Sequence, residues 1–178
     1  MRTVAKGILV SLICASLALT GMAQQQTIGF KKLQEFLPKI DLSGYSKGKP
    51  GGQTSKAMGM SVSEATLRYE KSEGDIEISI EIKIQDTAGV PFLSMGLGMI
   101  GSTEFENETE DGYEKSVKIQ GHPGTEKVQR GEYKSAEVTI AVASRFLIEL
   151  KCHECDDVGS LRKLADSMDL NGLAKLAQ

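Results

Sequence analysis

The clearest pattern in the chain is strict alternation. Ala65, Leu67 and Tyr69 alternate with Glu64, Thr66, Arg68 and Glu70. After a turn at Ser72-Glu73-Gly74, Ile76, Ile78, Ile80, Ile82 and Ile84 alternate with Glu77, Ser79, Glu81, Lys83 and Gln85. Successive side chains of a strand point to opposite faces, so this pattern predicts an antiparallel hairpin with one isoleucine face and one wet face. Parallel strands covered on both sides would not carry so many charges.

Helical periods flank the hairpin. Phe30, Leu33, Phe36 and Leu37 recur at helical spacing until Pro38, which predicts a short amphipathic helix. Residues 43–55 are rich in Gly, Lys and Ser around Lys49-Pro50-Gly51-Gly52, the composition of a mobile loop or linker. Asp86-Thr87-Ala88-Gly89 breaks the second strand, and Pro91 suits the first turn of a helix running to about Ile100. That helix is almost wholly apolar, which predicts burial, although its glycines weaken it.

From Thr103 the chain returns to strand patterns. Two pieces flank Glu110-Asp111-Gly112, the second with Val117 and Ile119 inward, and Gly121-His122-Pro123-Gly124 is a turn before a short strand through Val128. Val138, Ile140 and Val142 alternate on the next strand, and Phe146, Ile148 and Leu150 on the last. Asp156 or Asp157 then caps a helix whose apolar stripe is Val158, Leu161, Leu164, Ala165 and Met168; Leu170, Leu173 and Leu176 extend it. The predicted fold is α+β: a single curved antiparallel sheet of about six to seven strands with helices packed on its apolar face. The expected division is 1–23 leader, 24–62 N-terminal helix and flexible loop, and 63–178 α+β domain.

This element order resembles the PsbP/Mog1-like α/β sandwich. The run Phe36-Leu37-Pro38, then Gly44-Tyr45, the hairpin, and the Arg145-Phe146 strand with its following helix also look like small exported bacterial proteins of unassigned function. The resemblance covers most of the chain beyond the leader. It implies a binding or accessory module and names no ligand.

The N-terminus bounds where the protein works. Arg2 and Lys6 precede an apolar stretch from Ile8 to Leu19, and Gly21-Met22-Ala23 offers a small-residue cleavage site before Gln24. The stretch stops at Thr20 and Gly21, short of the roughly 20 apolar residues a membrane anchor needs. Lipid attachment at Cys14 is disfavoured by the bulky Ile13 before it. A cleaved signal peptide follows, and with it a periplasmic or secreted protein. The 178-residue chain has a formal net charge of −3, and losing Arg2 and Lys6 makes it two units more negative. Such a domain has no basic cluster for nucleic acid or anionic lipid. The absence of tryptophan, with aromatics at 5%, argues against a carbohydrate platform of stacked rings.

Candidate chemistry centres on Cys152-His153-Glu154-Cys155. In an oxidising compartment the two cysteines are expected to pair as a local disulfide. A redox-active dithiol is the alternative, since the motif sits between a strand and a helix start. Glu154, Asp156 and Asp157 would oppose thiolate there, and Cys152 continues the inward phase of Leu150. A metal site could draw on Cys152, Cys155 and His153 or His122. Gly96-Leu97-Gly98-Met99-Ile100-Gly101 matches GxGxxG but lacks a preceding strand and a long following helix. Glu104, Glu106 and Glu108 would share one face of an extended segment, which suits a charge-protected edge strand better than a cation or hydrolase site. With only two histidines, a conventional nucleophilic triad has little material.

The sequence therefore predicts an exported, non-catalytic binding or accessory protein of the bacterial envelope, with no cofactor. Its partner would be an envelope protein or an apolar small molecule, met through residues 43–55 and 92–100. Nucleic acid and stable membrane insertion are not expected. The alternatives are a thiol-disulfide protein using Cys152 and Cys155, or an envelope metal-binding protein.

Overall fold

A computed structural model describes residues 26–178. The expected leader, Met1 to Ala23, and Cys14 lie outside the described residues. In chain order the elements are α1 (Phe30–Leu33, continued by a 3-10 turn Gln34–Phe36), β1 (Ser46–Lys47), β2 (Gly51–Ala57), β3 (Met60–Glu73), β4 (Ile76–Gly89) and α2 (Pro91–Met99). Then come β5 (Glu106–Thr109), β6 (Gly112–Ile119), β7 (His122–Gln129), β8 (Ser135–Val142), β9 (Phe146–His153), α3 (Val158–Asp166) and α4 (Leu170–Lys175).

All the strands join one antiparallel sheet, ordered β1-β3-β4-β9-β8-β7-β6-β5, with β2 also pairing with β3. The α+β expectation of six to seven strands is thereby corrected. The chain is mostly β, with a nine-stranded sheet and four short helices. The missing strands came from residues 43–55, which form β1 and β2 in place of a loop. Neither strand has an apolar face, so neither left a periodic signal. Backbone pairing to β3 holds them, and β2 is turned onto it by Met58-Gly59, both at positive φ as a type I′ hairpin turn requires.

The β3–β4 hairpin follows the alternation read from the sequence, in the register Leu67↔Ile82 and Tyr69↔Ile80. Its turn falls at Gly74-Asp75, and β4 does not break at Asp86 but runs to Gly89. On the inner face Ala65, Leu67 and Tyr69 of β3, Ile80, Ile82 and Ile84 of β4, Ile148 and Leu150 of β9 and Val138 and Ile140 of β8 are buried. Over them lie Leu33 and Leu37 at the N-terminus, Leu161, Leu164 and Ala165 of α3, and Leu170 and Leu173 of α4. Asp157 caps α3 by accepting a hydrogen bond from Ser160 N at 3.1 Å, and Asp169 caps α4 through Gly172 N at 2.8 Å.

The outer face is polar. Lys83–Glu149 at 2.5 Å and Lys151–Glu137 at 3.4 Å tie neighbouring strands there, solvated pairs that add little stability. α2 is the exception. It carries the chain from β4 in mid-sheet toward β5 at the far edge and packs against β4 and β9. Where it ends, Gly101 (φ +78) lies so close to Pro123 that a Cβ would fall 2.4 Å from the proline ring. Glycine is required there both by backbone conformation and by space.

Candidate functional site

Charged residues enter the interior at two places. Asp86 continues the inward phase of the β4 isoleucines, and Arg145 precedes Phe146 at the start of β9. The guanidinium meets the carboxylate two-pronged, Nε to Oδ1 at 3.0 Å and Nη2 to Oδ2 at 2.8 Å, with both residues buried. Arg145 also donates to the carbonyls of Gln26 (3.0 Å) and Leu176 (3.3 Å), while Asp86 accepts from Ile28 N (2.7 Å) and Ala88 N (3.0 Å). One ion pair thus fastens the N-terminal segment, the C-terminal turn and two central strands together. With its hydrogen-bonding capacity taken up by protein, it is an anchor and not a reactive centre.

Glu126 on β7 is the second. It is 1% exposed and takes the phenol of Tyr113 at 2.6 Å and Arg162 Nε of α3 at 2.5 Å, with Lys115 Nζ at 4.0 Å. Burial, then the hydrogen bond to Glu126, pushes the Tyr113 phenol up to about 12. The same carboxylate raises Arg162. This cluster ties α3 to the strands beyond the helix layer.

Cys152 and Cys155 lie at disulfide-bonding distance, with Cα atoms 5.7 Å apart. Both are buried in the hydrophobic core, and Cys152 stands opposite Ile80 of β4 and Ala136 of β8. His153 between them is exposed and follows the opposite strand phase, so it does not face the sulfurs. His122 sits at the start of β7, with its Nε2 buried and without a hydrogen-bond partner. Among the described residues no group of three or more His, Cys, Asp or Glu side chains is arranged to hold a metal ion.

The GxGxxG run lies within α2 and just beyond it. A Cβ on Gly96 or Gly98 would touch nothing within 4 Å, so these glycines make no close cradle for a phosphate. The carboxylates of Glu106 and Glu108 stand on β5, the edge strand.

The burial expected for α2 is corrected. Leu97 is buried and Leu93 half-buried against the sheet, but Phe92, Met95 and Met99 are 68%, 77% and 73% exposed. Those three positions, spaced i, i+3 and i+7, form one stripe along the outside of the helix. The sheet beneath is polar, so α2 buries only the narrow side that packs against β4 and β9, and an almost wholly apolar helix leaves its other side uncovered. Beyond Gly101 a groove of about 540 Å³ runs along β5 and β6, lined by Phe105, Val117 and Pro123 together with Glu104, Glu106, Lys115 and Lys118. Of the two contact segments expected from the sequence, residues 92–100 present an apolar surface, whereas residues 43–55 form a polar sheet edge.

No family model matches the chain, and no curated protein or solved structure matches it. The class is therefore defined by fold and surface alone: a helix-backed antiparallel sheet bearing one uncovered apolar helix on its polar face. Among the described residues no helix is long and apolar enough to cross a membrane.

Proposed function

We propose that the protein is an exported, non-catalytic binding or accessory module of the bacterial envelope that meets a partner protein through α2. The observation that carries this reading is the stripe of Phe92, Met95 and Met99, left in water on a helix anchored from behind by Leu97. Contiguous exposed apolar surface on a folded domain marks an interaction site, and methionines make such a surface adaptable. The leader-like N-terminus supports export, as does a pair of cysteines placed to bond. The resemblance to PsbP/Mog1-like proteins favours a binding role. A partner protein suits the site better than an apolar small molecule, because the groove beside α2 is lined by four charged side chains and α2 itself is convex.

Site-specific photo-crosslinking in an exporting host tests the reading. A crosslinker at Phe92 or Met95 is expected to yield one discrete adduct on processed protein, and a crosslinker at the exposed Lys127 none. Equal labelling from both positions, or an unprocessed N-terminus on cytosolic material, refutes it. The burial of Cys152 and Cys155 speaks against the thiol-disulfide alternative, since exchange needs an accessible sulfur.

A further inference from the structure

The α2 face carries a charge pattern as well as an apolar one. The helix has no charged side chain, and the acidic run begins five residues after it, with Glu104, Glu106, Glu108, Glu110 and Asp111, all exposed. Residues 91–118 include six carboxylates and two lysines. Both lysines are already engaged, Lys118 with Glu104 at 3.9 Å and Lys115 with Glu126 at 4.0 Å. Among the described residues, Glu106, Glu108 and Glu110 have no ion pair. The chain from Met99 through Gly101 to Phe105 leads directly from the apolar stripe into the groove that Glu104 and Glu106 line.

We infer that this face takes a cationic amphipathic segment of a partner protein, its apolar side on Phe92, Met95 and Met99 and its Lys or Arg side chains against Glu106 and Glu108. The inference rests on the docking role of α2 proposed above and adds the chemistry of the occupant. Complementary charge selects among partners that an apolar stripe alone would accept equally. A basic amphipathic helix offers both features at the spacing α2 presents. Anionic lipid is repelled by the same rim, and a second copy of the chain would bring another set of carboxylates to the interface.

The test uses the processed protein and three labelled peptides of equal length, followed by fluorescence anisotropy. One is a Leu/Lys amphipathic helix, one the same helix with Glu for Lys, and one a Lys/Ser peptide without an apolar face. The Leu/Lys peptide is expected to bind about tenfold or more tightly than the Leu/Glu peptide at low ionic strength, with the gap narrowing as salt is added. Met95→Glu should abolish binding of the Leu/Lys peptide, and the double change Glu106→Lys with Glu108→Lys should remove its advantage over the Leu/Glu peptide. Thermal unfolding of each variant checks that the fold is kept. Equal binding of the two amphipathic peptides overturns this inference while leaving the docking role of α2 standing. Binding of the Lys/Ser peptide as tightly as Leu/Lys, or binding indifferent to Met95→Glu, overturns both, as does failure of all three peptides to bind. Concentration-dependent dimers that vanish in Met95→Glu overturn it in favour of a second copy.

Discussion

On the face under α1, α3 and α4, apolar side chains are covered and both buried carboxylates, Asp86 and Glu126, have cationic partners. On the opposite face α2 covers itself on one side only and leaves Phe92, Met95 and Met99 in water. The two faces answer to different requirements. The inner face has to exclude water and hold the termini, so leaving a polar group there without a partner is costly. The outer face is already satisfied by solvent, so the exposed stripe of α2, unlike the buried Leu97 behind it, contributes nothing to folding that would explain its composition. That difference separates the chemistry that holds the fold together from the surface that the fold leaves open to contact.

The contrast breaks most severely at Arg145. Arg145→Met leaves Asp86 buried without its cation and is expected to cost about 3–5 kcal/mol in urea unfolding, enough to threaten a small domain. The loss should extend to both termini, because Gln26 and Leu176 lose their donor as well. A variant that unfolds at the wild-type midpoint would mean that the pair is incidental to the inner face.

Asp86 also marks where the sequence stopped being legible. Asp-Thr-Ala-Gly reads locally as a turn, yet Asp86 keeps the inward phase of Ile82 and Ile84, and its partner lies 59 residues away. Sequence order cannot reveal such a pairing, although a carboxylate in phase with an isoleucine face was a usable signal. Strands with an apolar face were readable in the central hairpin, β8, β9 and the Cys152 phase, but His122-Pro123-Gly124, which reads locally as a turn, is the paired start of β7. Helix α3 was readable with its Asp157 cap. Strands β1 and β2 were not, because edge strands held by backbone pairing carry no apolar period. For α2 the helix was legible from Pro91 and its composition, but its exposure was not. Hydrophobicity predicts what ought to be covered, whereas the polar outer face of the sheet decides what can be.

A smaller effect is expected at the cysteines. Replacing both Cys152 and Cys155 with alanine removes a four-residue ring, which on chain-entropy grounds constrains the unfolded chain by only about 2 kcal/mol or less. Denaturant unfolding of the double variant should show a loss of that order with the fold retained. Full loss of structure would place the pair beside Asp86–Arg145 as an anchor of the inner face.

Alkaline titration probes the rim of the helix layer. Tyr113 is raised to about 12, first by burial and then by Glu126, and Tyr69 to about 12 by burial and then by Asp41. A phenol with a folded-state value above its ordinary 10 stays protonated in the native chain while the unfolded chain has released its proton. The native state then binds more protons, so this contribution is whole below pH 10 and is lost as the pH climbs toward 12. Stability should therefore fall across that window. Tyr113→Phe should flatten the fall in part, with Tyr69 and the other raised groups, Tyr45, Lys71 and Lys83, supplying the remainder. An unchanged slope in Tyr113→Phe would indicate that its phenol titrates as in the unfolded chain.

The smallest expected change is the most telling about α2. Met95 is 77% exposed and its neighbours on the stripe are solvated too, so Met95→Gln removes almost no buried surface. Glutamine has a helix propensity close to that of methionine, and the unfolding free energy should stay within about 0.5 kcal/mol of wild type. The equivalent loss of apolar contact beneath the helix, Leu97→Ala, should instead cost about 2–5 kcal/mol wherever α2 docking is coupled to global unfolding. A Met95→Gln variant as destabilised as Leu97→Ala would mean that the stripe is covered in solution by the protein itself. A neutral Met95→Gln means that the fold has no use for an apolar residue at that position, and the stripe must then be explained by something outside the chain.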